Sequence, residues 1–171
     1  TDLSVYTAVS STDNKNNLNT NTMKTFIKPI LAAALILATA LSASAAKPIN
    51  QTFFGSKAID GYDTVAYHTQ GQPVKGSKSY SYAWKGANWL FSSADNRALF
   101  KANPDKFAPQ FGGYCAWAAA SNKIADANPT LWDIYEGNLY LNYNTKTHNE
   151  WRLDKAGMVT RANANWPSLI K

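Results

Sequence analysis

The chain has one cysteine, Cys115, among 171 residues. A single thiol closes no internal disulfide, so the fold must stand on packing. Histidine is nearly as scarce, with two residues, and no His-x-x-x-His or Cys-x-x-Cys spacing announces a metal site. There is no Gly-x-Ser-x-Gly, no phosphate-binding loop and no dinucleotide fingerprint, and no catalytic triad can be assembled. Lys and Arg form neither a run nor a basic helix face, which removes the concentrated stripe that nucleic-acid binding uses. After residue 46 there are no sequence repeats and no low-complexity tracts.

Long apolar runs are also missing, with one short exception. Ile30–Leu41 (ILAAALILATAL) is apolar but too short to span a bilayer core of about 30 Å as a helix. It follows Met23, Lys24 and Lys28 and precedes Ala43-Ser44-Ala45, the small-x-small pattern of a signal peptidase site. Residues 23–45 therefore read as a secretion signal, and residues 1–22, polar and without pattern, as a disordered extension upstream of the start. The mature chain is expected to begin near Ala46, to be periplasmic or secreted, and to carry no transmembrane segment after cleavage. Residues 46–171 are enough for one domain. They keep 14 of the 17 Lys/Arg and 9 of the 11 Asp/Glu, a dispersed net charge of +5.

Aromatics are what the mature part has in quantity. All six Trp (84, 89, 117, 132, 151, 166) lie there, and such rings supply packing without disulfides. Ala46–Ser56 reads as a loosely docked leader with Phe53 and Phe54 as anchors. Ile59–Asp63 is a turn, and Thr64–His68 a short extended segment. Ser79–Trp84 and Asn88–Phe91 alternate around Lys85-Gly86-Ala87 as a hairpin. Ser92 or Ser93 caps a helix that runs to Ala102 with Ala98, Leu99 and Ala102 on its apolar face, Ser92 and Asp95 forming a variant capping box. Pro104 stops it. Tyr114–Ala120 is a short buried helix after the bend at Gly112-Gly113. Trp132–Tyr135 and Leu139–Tyr143 form a second hairpin around Glu136-Gly137-Asn138. Thr147–Asp154 begins a last helical segment with Trp151 inward, and Trp166-Pro167 closes the chain. The expected class is α+β, a small antiparallel sheet of hairpins packed with short helices.

Four motifs in order, Asp60-Gly61-Tyr62-Asp63-x-Val65-Ala66-Tyr67, Trp89-x-Phe91-Ser92-Ser93, Phe100-x-x-x-Pro104-x-Lys106-Phe107 and Phe111-Gly112-Gly113-Tyr114-Cys115-Ala116, resemble the YHS domain. With Leu139–Asn142 and Asn165-Trp166-Pro167 they are similar to the small exported bacterial YHS proteins. The resemblance implies a compact α+β domain and a metal-binding role, copper by analogy. It also implies where the metal-type thiols would stand: near Ala66, at Ser92 and at Asn96. All three thiols are absent here, so the scaffold is kept without that soft-donor site.

The remaining candidates each have a structural alternative. Cys115, at a helix start after two glycines, is a metal ligand, a redox thiol or a small buried hydrophobe. His68 could join it in a Cu(I) site, with His148 or Met158 as further donors, or be a surface residue; His148, in a polar run, reads as surface. Asp60 and Asp63 bracket Gly61-Tyr62 as paired carboxylates or as turn formers. With Tyr62, Tyr67, Tyr114 and Trp117 they could line a small-ligand pocket. The reading is a non-enzymatic binding protein for a small molecule or metal ion; a thiol redox protein using Cys115 and an envelope interaction module are the rivals.

Overall fold

Two β-hairpins, each followed by a helix, organise residues 46–170, the part of the chain that the computed structural model describes. The expectations for residues 1–22 and for the signal at 23–45 lie outside it. In chain order the elements are α1 (Thr64–Thr69), β1 (Ser77–Trp84), β2 (Ala87–Phe91), α2 (Ala94–Ala102), α3 (Pro104–Phe107), α4 (Ala116–Ala120), β3 (Asn128–Tyr135), β4 (Asn138–Asn142), α5 (Thr145–Leu153) and α6 (Lys155–Leu169). Short 3-10 turns at Ile59–Gly61 and Gln110–Gly113 precede α1 and α4. The fold is α+β, with two antiparallel two-stranded sheets among the described residues.

The two hairpins are copies of one device, displaced by 51 residues. Ser77 pairs with Phe91 and Trp84 with Ala87; Asn128 pairs with Asn142 and Tyr135 with Asn138. Each long strand carries an irregularity at the same place, Ser77/Ser81 and Asn128/Trp132. Both turns have two left-handed residues, Lys85-Gly86 (φ 48 and 74) and Glu136-Gly137 (φ 49 and 76). The equivalence extends to the caps. Ser93 and Asn144 start α2 and α5, and Asn103 and Asp154 end them while capping α3 and α6. Upstream, three consecutive positive-φ residues, Ile59-Asp60-Gly61 and Phe111-Gly112-Gly113, lead into α1 and α4. The sequence hid this duplication because few identities survive, among them Gly-Tyr at 61–62 and 113–114 and a glycine in each turn.

Each hairpin packs one face on its own helix. Trp89 and Phe91 meet Phe100 of α2 at ring distances of 4.8 and 5.0 Å; Tyr140 meets Trp151 of α5 at 5.2 Å. Trp89, Phe91, Phe100 and Trp151 are fully buried, each worth roughly 1.5–3 kcal/mol in transfer free energy. The outer face of the second hairpin packs on the first repeat: Leu139 and Leu141 join Val65 and Tyr67 in one core. The Tyr67 hydroxyl donates to the Pro129 carbonyl at 2.8 Å.

Several expectations are corrected. Thr64–His68 is helical, not extended, because the Asp63 side chain accepts from the amides of Val65 and Ala66 and caps the turn. The inward residues of α2 are Asn96 and Phe100, whereas Ala98, Leu99 and Ala102 face solvent. Ser93 is the cap, and no Ser92–Asp95 box forms. Phe53 and Phe54 anchor nothing, being 87 and 83 % exposed. The leader is tied instead by Ile49, which is buried, and by the Asn50 amide on the Gly112 carbonyl at 2.9 Å. Chain crosses so close here that a Cβ on Gly112 would lie 2.0 Å from the Pro48 oxygen. Beyond Asp154 a further helix, α6, covers α4. Ala162 is buried there, and the Asn165 amide donates to the carbonyls of Ala119 and Ala120 at the end of α4.

Candidate functional site

Asp63 is the best-connected polar group of the first repeat. It follows the left-handed Ile59–Gly61 turn, which swings its carboxylate beneath the start of α1, and it is fully buried. One oxygen accepts from the amides of Val65 (3.0 Å) and Ala66 (3.3 Å). The other accepts from the Ser92 amide (2.8 Å), the Ser92 hydroxyl (2.6 Å) and the Asn96 side-chain amide (2.7 Å). Five donors thus fill a carboxylate that offers about four lone-pair directions.

Ala66, Ser92 and Asn96, at or near which the resemblance to the YHS domain would place metal-type thiols, all bond Asp63. A methyl, a hydroxyl and an amide replace three soft donors, and the carboxylate between them has no free lone pair. This set does not fit copper, which selects thiolate, thioether or imidazole. Among the described residues no group of three or more His, Cys, Asp or Glu is placed to hold a metal.

Cys115 occupies the place of Asp63 in the second repeat: it stands at the N-cap of α4 as Asp63 does at that of α1, but its side chain makes no capping bond. Lacking a carboxylate, it leaves the helix start to Asn142. The side-chain oxygen of Asn142 accepts from the Trp117 amide at 3.2 Å and lies 3.8 Å from the Cys115 sulfur. Both residues are buried, and the Asn142 side-chain nitrogen has no partner among the described residues.

The other predicted residues are dispersed. Asp60 is exposed and lines a cleft of about 310 Å³ with Asn50, Gln51, Thr52, Gly113 and Asp126. Tyr62 lies under the Lys75 ammonium, 3.9 Å from the ring centroid. Tyr67 is buried against Trp132, and burial, then the nearby Tyr62 and Asp63, pushes its phenol well above the usual range. Tyr114 is raised in the same direction by burial and by Asp126, and its ring lies 6.0 Å from that of Trp166. Trp117 packs at the edge of the second core. Asp63 and Tyr67 are buried with their polar atoms engaged, and neither is among the residues that line the Asp60 cleft.

His68 is half-buried, edge-on to Phe107, with a ring nitrogen that has no partner among the described residues. Burial, then the Lys106 charge, holds it below the ordinary histidine range. His148 is not a surface residue. It is 6 % exposed and bonds Asp133 at 2.6 Å, where Arg152 (2.8 Å) and Lys155 (3.0 Å) also bind. This cluster between β3, α5 and α6 escaped the sequence reading, because Asp133 is distant in sequence from its three partners.

The fold and the Asp63 hydrogen-bond cluster define a small α+β scaffold in which a buried carboxylate ties a capped helix to the end of a hairpin. A YHS domain is detected at residues 65–111, from α1 into the Gln110–Gly113 turn. No curated protein and no solved structure matches the chain significantly. The detected span includes Ala66, Ser92 and Asn96 and ends before the second hairpin. Among the described residues no helix is long and apolar enough to cross a membrane.

Proposed function

We propose that this chain is an exported, non-enzymatic binding protein in which the YHS scaffold carries a small ligand in place of a thiolate-bound metal. The observation that carries the reading is the saturated Asp63 carboxylate at the point where the thiols of a metal-type domain would meet. A group with every lone pair engaged serves structure, so binding falls to the neighbouring surface. There the Asp60 cleft offers two carboxylates and a Gln51 side-chain oxygen that is buried without a partner among the described residues. Acceptors in excess of donors suit a small molecule bearing a positive charge. The redox alternative is weakened by the burial of Cys115, which keeps thiol partners away.

Titration with Cu(I) against a competing chelator tests the metal half of the reading. No stoichiometric tight site is expected; one that survives would overturn it. For the ligand half, 1,4-diaminobutane is the probe. It should bind saturably, and Asp60→Asn combined with Asp126→Asn should abolish that binding; unchanged affinity would sink the assignment. Export predicts an exported product that begins at Ala46 or Lys47 by N-terminal sequencing, and exported protein still carrying Met23 would refute it.

A further inference from the structure

The duplication exposes an asymmetry. On the second hairpin the outer face, Trp132, Leu139 and Leu141, packs into the core shared with α1. The matching positions on the first hairpin are Ser81, Asn88 and Leu90, and among the described residues no α-helix covers them. The segment 55–61 crosses there, through the Ala58 amide on the Asn88 carbonyl (2.9 Å) and the Lys57–Asn88 bridge, and Gly76 lies against Leu90. What stays open is a cleft of about 490 Å³ lined by Phe54, Gly55, Lys57, Lys78, Ser81, Asn88 and Leu90. That volume lies within the range of small-molecule sites, about 300–1,000 Å³.

The lining has a definite chemistry. Leu90 is a buried apolar floor and Phe54 an exposed aromatic wall. Lys78 sits within the irregularity of β1 between Ser77 and Ser81, a device that re-aims side chains. Neither the Lys57 nor the Lys78 ammonium has a carboxylate or carbonyl partner among the described residues, and no acidic residue lines the cleft. The Phe54 turn is held rather than loose. The Thr52 amide donates to the Lys57 carbonyl (3.0 Å), the Thr52 hydroxyl to the Phe54 carbonyl (2.8 Å), and Asn88 to the carbonyls of Gly55 (3.2 Å) and Ser56 (2.8 Å). A held turn that presents an aromatic ring to solvent in the same cleft as two cations suits a partner with a flat apolar body and a negative group.

We infer that this cleft binds a small amphipathic anion, an aromatic or aliphatic carboxylate or phosphate ester, with its anionic head between Lys57 and Lys78 and its body against Phe54 and Leu90. The inference is independent of the Asp60 cleft, which differs in lining and charge. Titration of the protein with 2-naphthoate, followed by NMR, tests it. Saturable binding is expected, with shifts at Phe54, Ser81 and Leu90. Lys57→Gln with Lys78→Gln should weaken it at least about tenfold, as should Phe54→Ala, all three being surface changes whose folding circular dichroism can check. The uncharged 2-naphthylmethanol should bind at least about tenfold more weakly than 2-naphthoate. Equal affinity for the neutral analogue, an unaffected lysine double variant, or no saturable binding in the millimolar range would each overturn the site. So would binding to phosphatidylglycerol vesicles without binding of soluble naphthoate, which would make the surface a membrane contact.

Discussion

Asp63 and Cys115 show how one residue position can be solved twice. At the first, a carboxylate satisfies five donors; at the second, a thiol leaves the task to an asparagine from β4. Asp63→Ala would orphan buried donors, each costing about 1–3 kcal/mol, so urea denaturation should show a total loss of roughly 3–5 kcal/mol. A loss under about 1 kcal/mol would mean that water replaces the carboxylate. Cys115→Ser has a milder expectation. The new hydroxyl finds the Asn142 oxygen close by, so the loss should be about 1 kcal/mol rather than the 3 or so of an unpartnered hydroxyl. Two other residues set the acid response. His68 titrates lower in the folded protein than the ordinary 6.5. The unfolded chain therefore takes up the proton first, and stability present above that pH falls as pH drops from 6.5 through the lower folded value. Thermal melts of His68→Gln should lack this component. A second loss begins near the ordinary 3.8 of Asp133. Burial opposes that charge, but bonds from Arg152, Lys155 and His148 outweigh it and keep the carboxyl below its usual range. It favours folding until acid protonates it. A melting temperature flat from neutral pH to pH 3 or so would contradict both assignments.

At the scale of elements, the hairpin turns offer a clean test. Type I′ geometry wants Asn or Gly in its first left-handed position, yet Glu136 stands there with φ 49. Glu136→Asn should stabilise by roughly 1 kcal/mol. Lys85→Asn should gain less, because Lys85 also bonds Asp105 at 3.1 Å and covers the Trp84 ring. If both gain equally, those contacts contribute nothing. Elements were legible in the sequence where their signals are local. Alternating aromatics around a glycine gave both hairpins, and Pro104 after Asn103 marked the end of α2. They were not legible where tertiary bonds decide. Thr64-Val65 is β-branched and favours a strand, but the Asp63 cap converts it to helix. Trp166-Pro167, read as the close of the chain, lies inside α6, which runs through it to Leu169 on contacts with α4. The site followed the same division. Ser92 and Asn96 could be placed at the thiol positions by motif, whereas their meeting point, Asp63, needed the left-handed turn before it.

At the scale of the whole molecule, the two repeats lean on each other unequally. The second hairpin is covered on both faces and the first on one, as in stacked repeats whose terminal unit keeps an open side. The described chain also returns to where it starts: Pro48 and Ile49 line the same cleft as Trp166 and Ile170. Connectivity is therefore separable from architecture. A permuted chain that joins residue 170 to residue 46 by a short glycine-serine linker and opens between Lys123 and Ile124 would translate the second hairpin first. The opening cuts an exposed stretch while sparing the Lys123 amide bond to Ala118. Such a chain should unfold cooperatively with the near-ultraviolet signature of the original aromatic core. Failure to do so would mean that the order of synthesis, and not packing alone, selects this arrangement of two nearly equivalent halves.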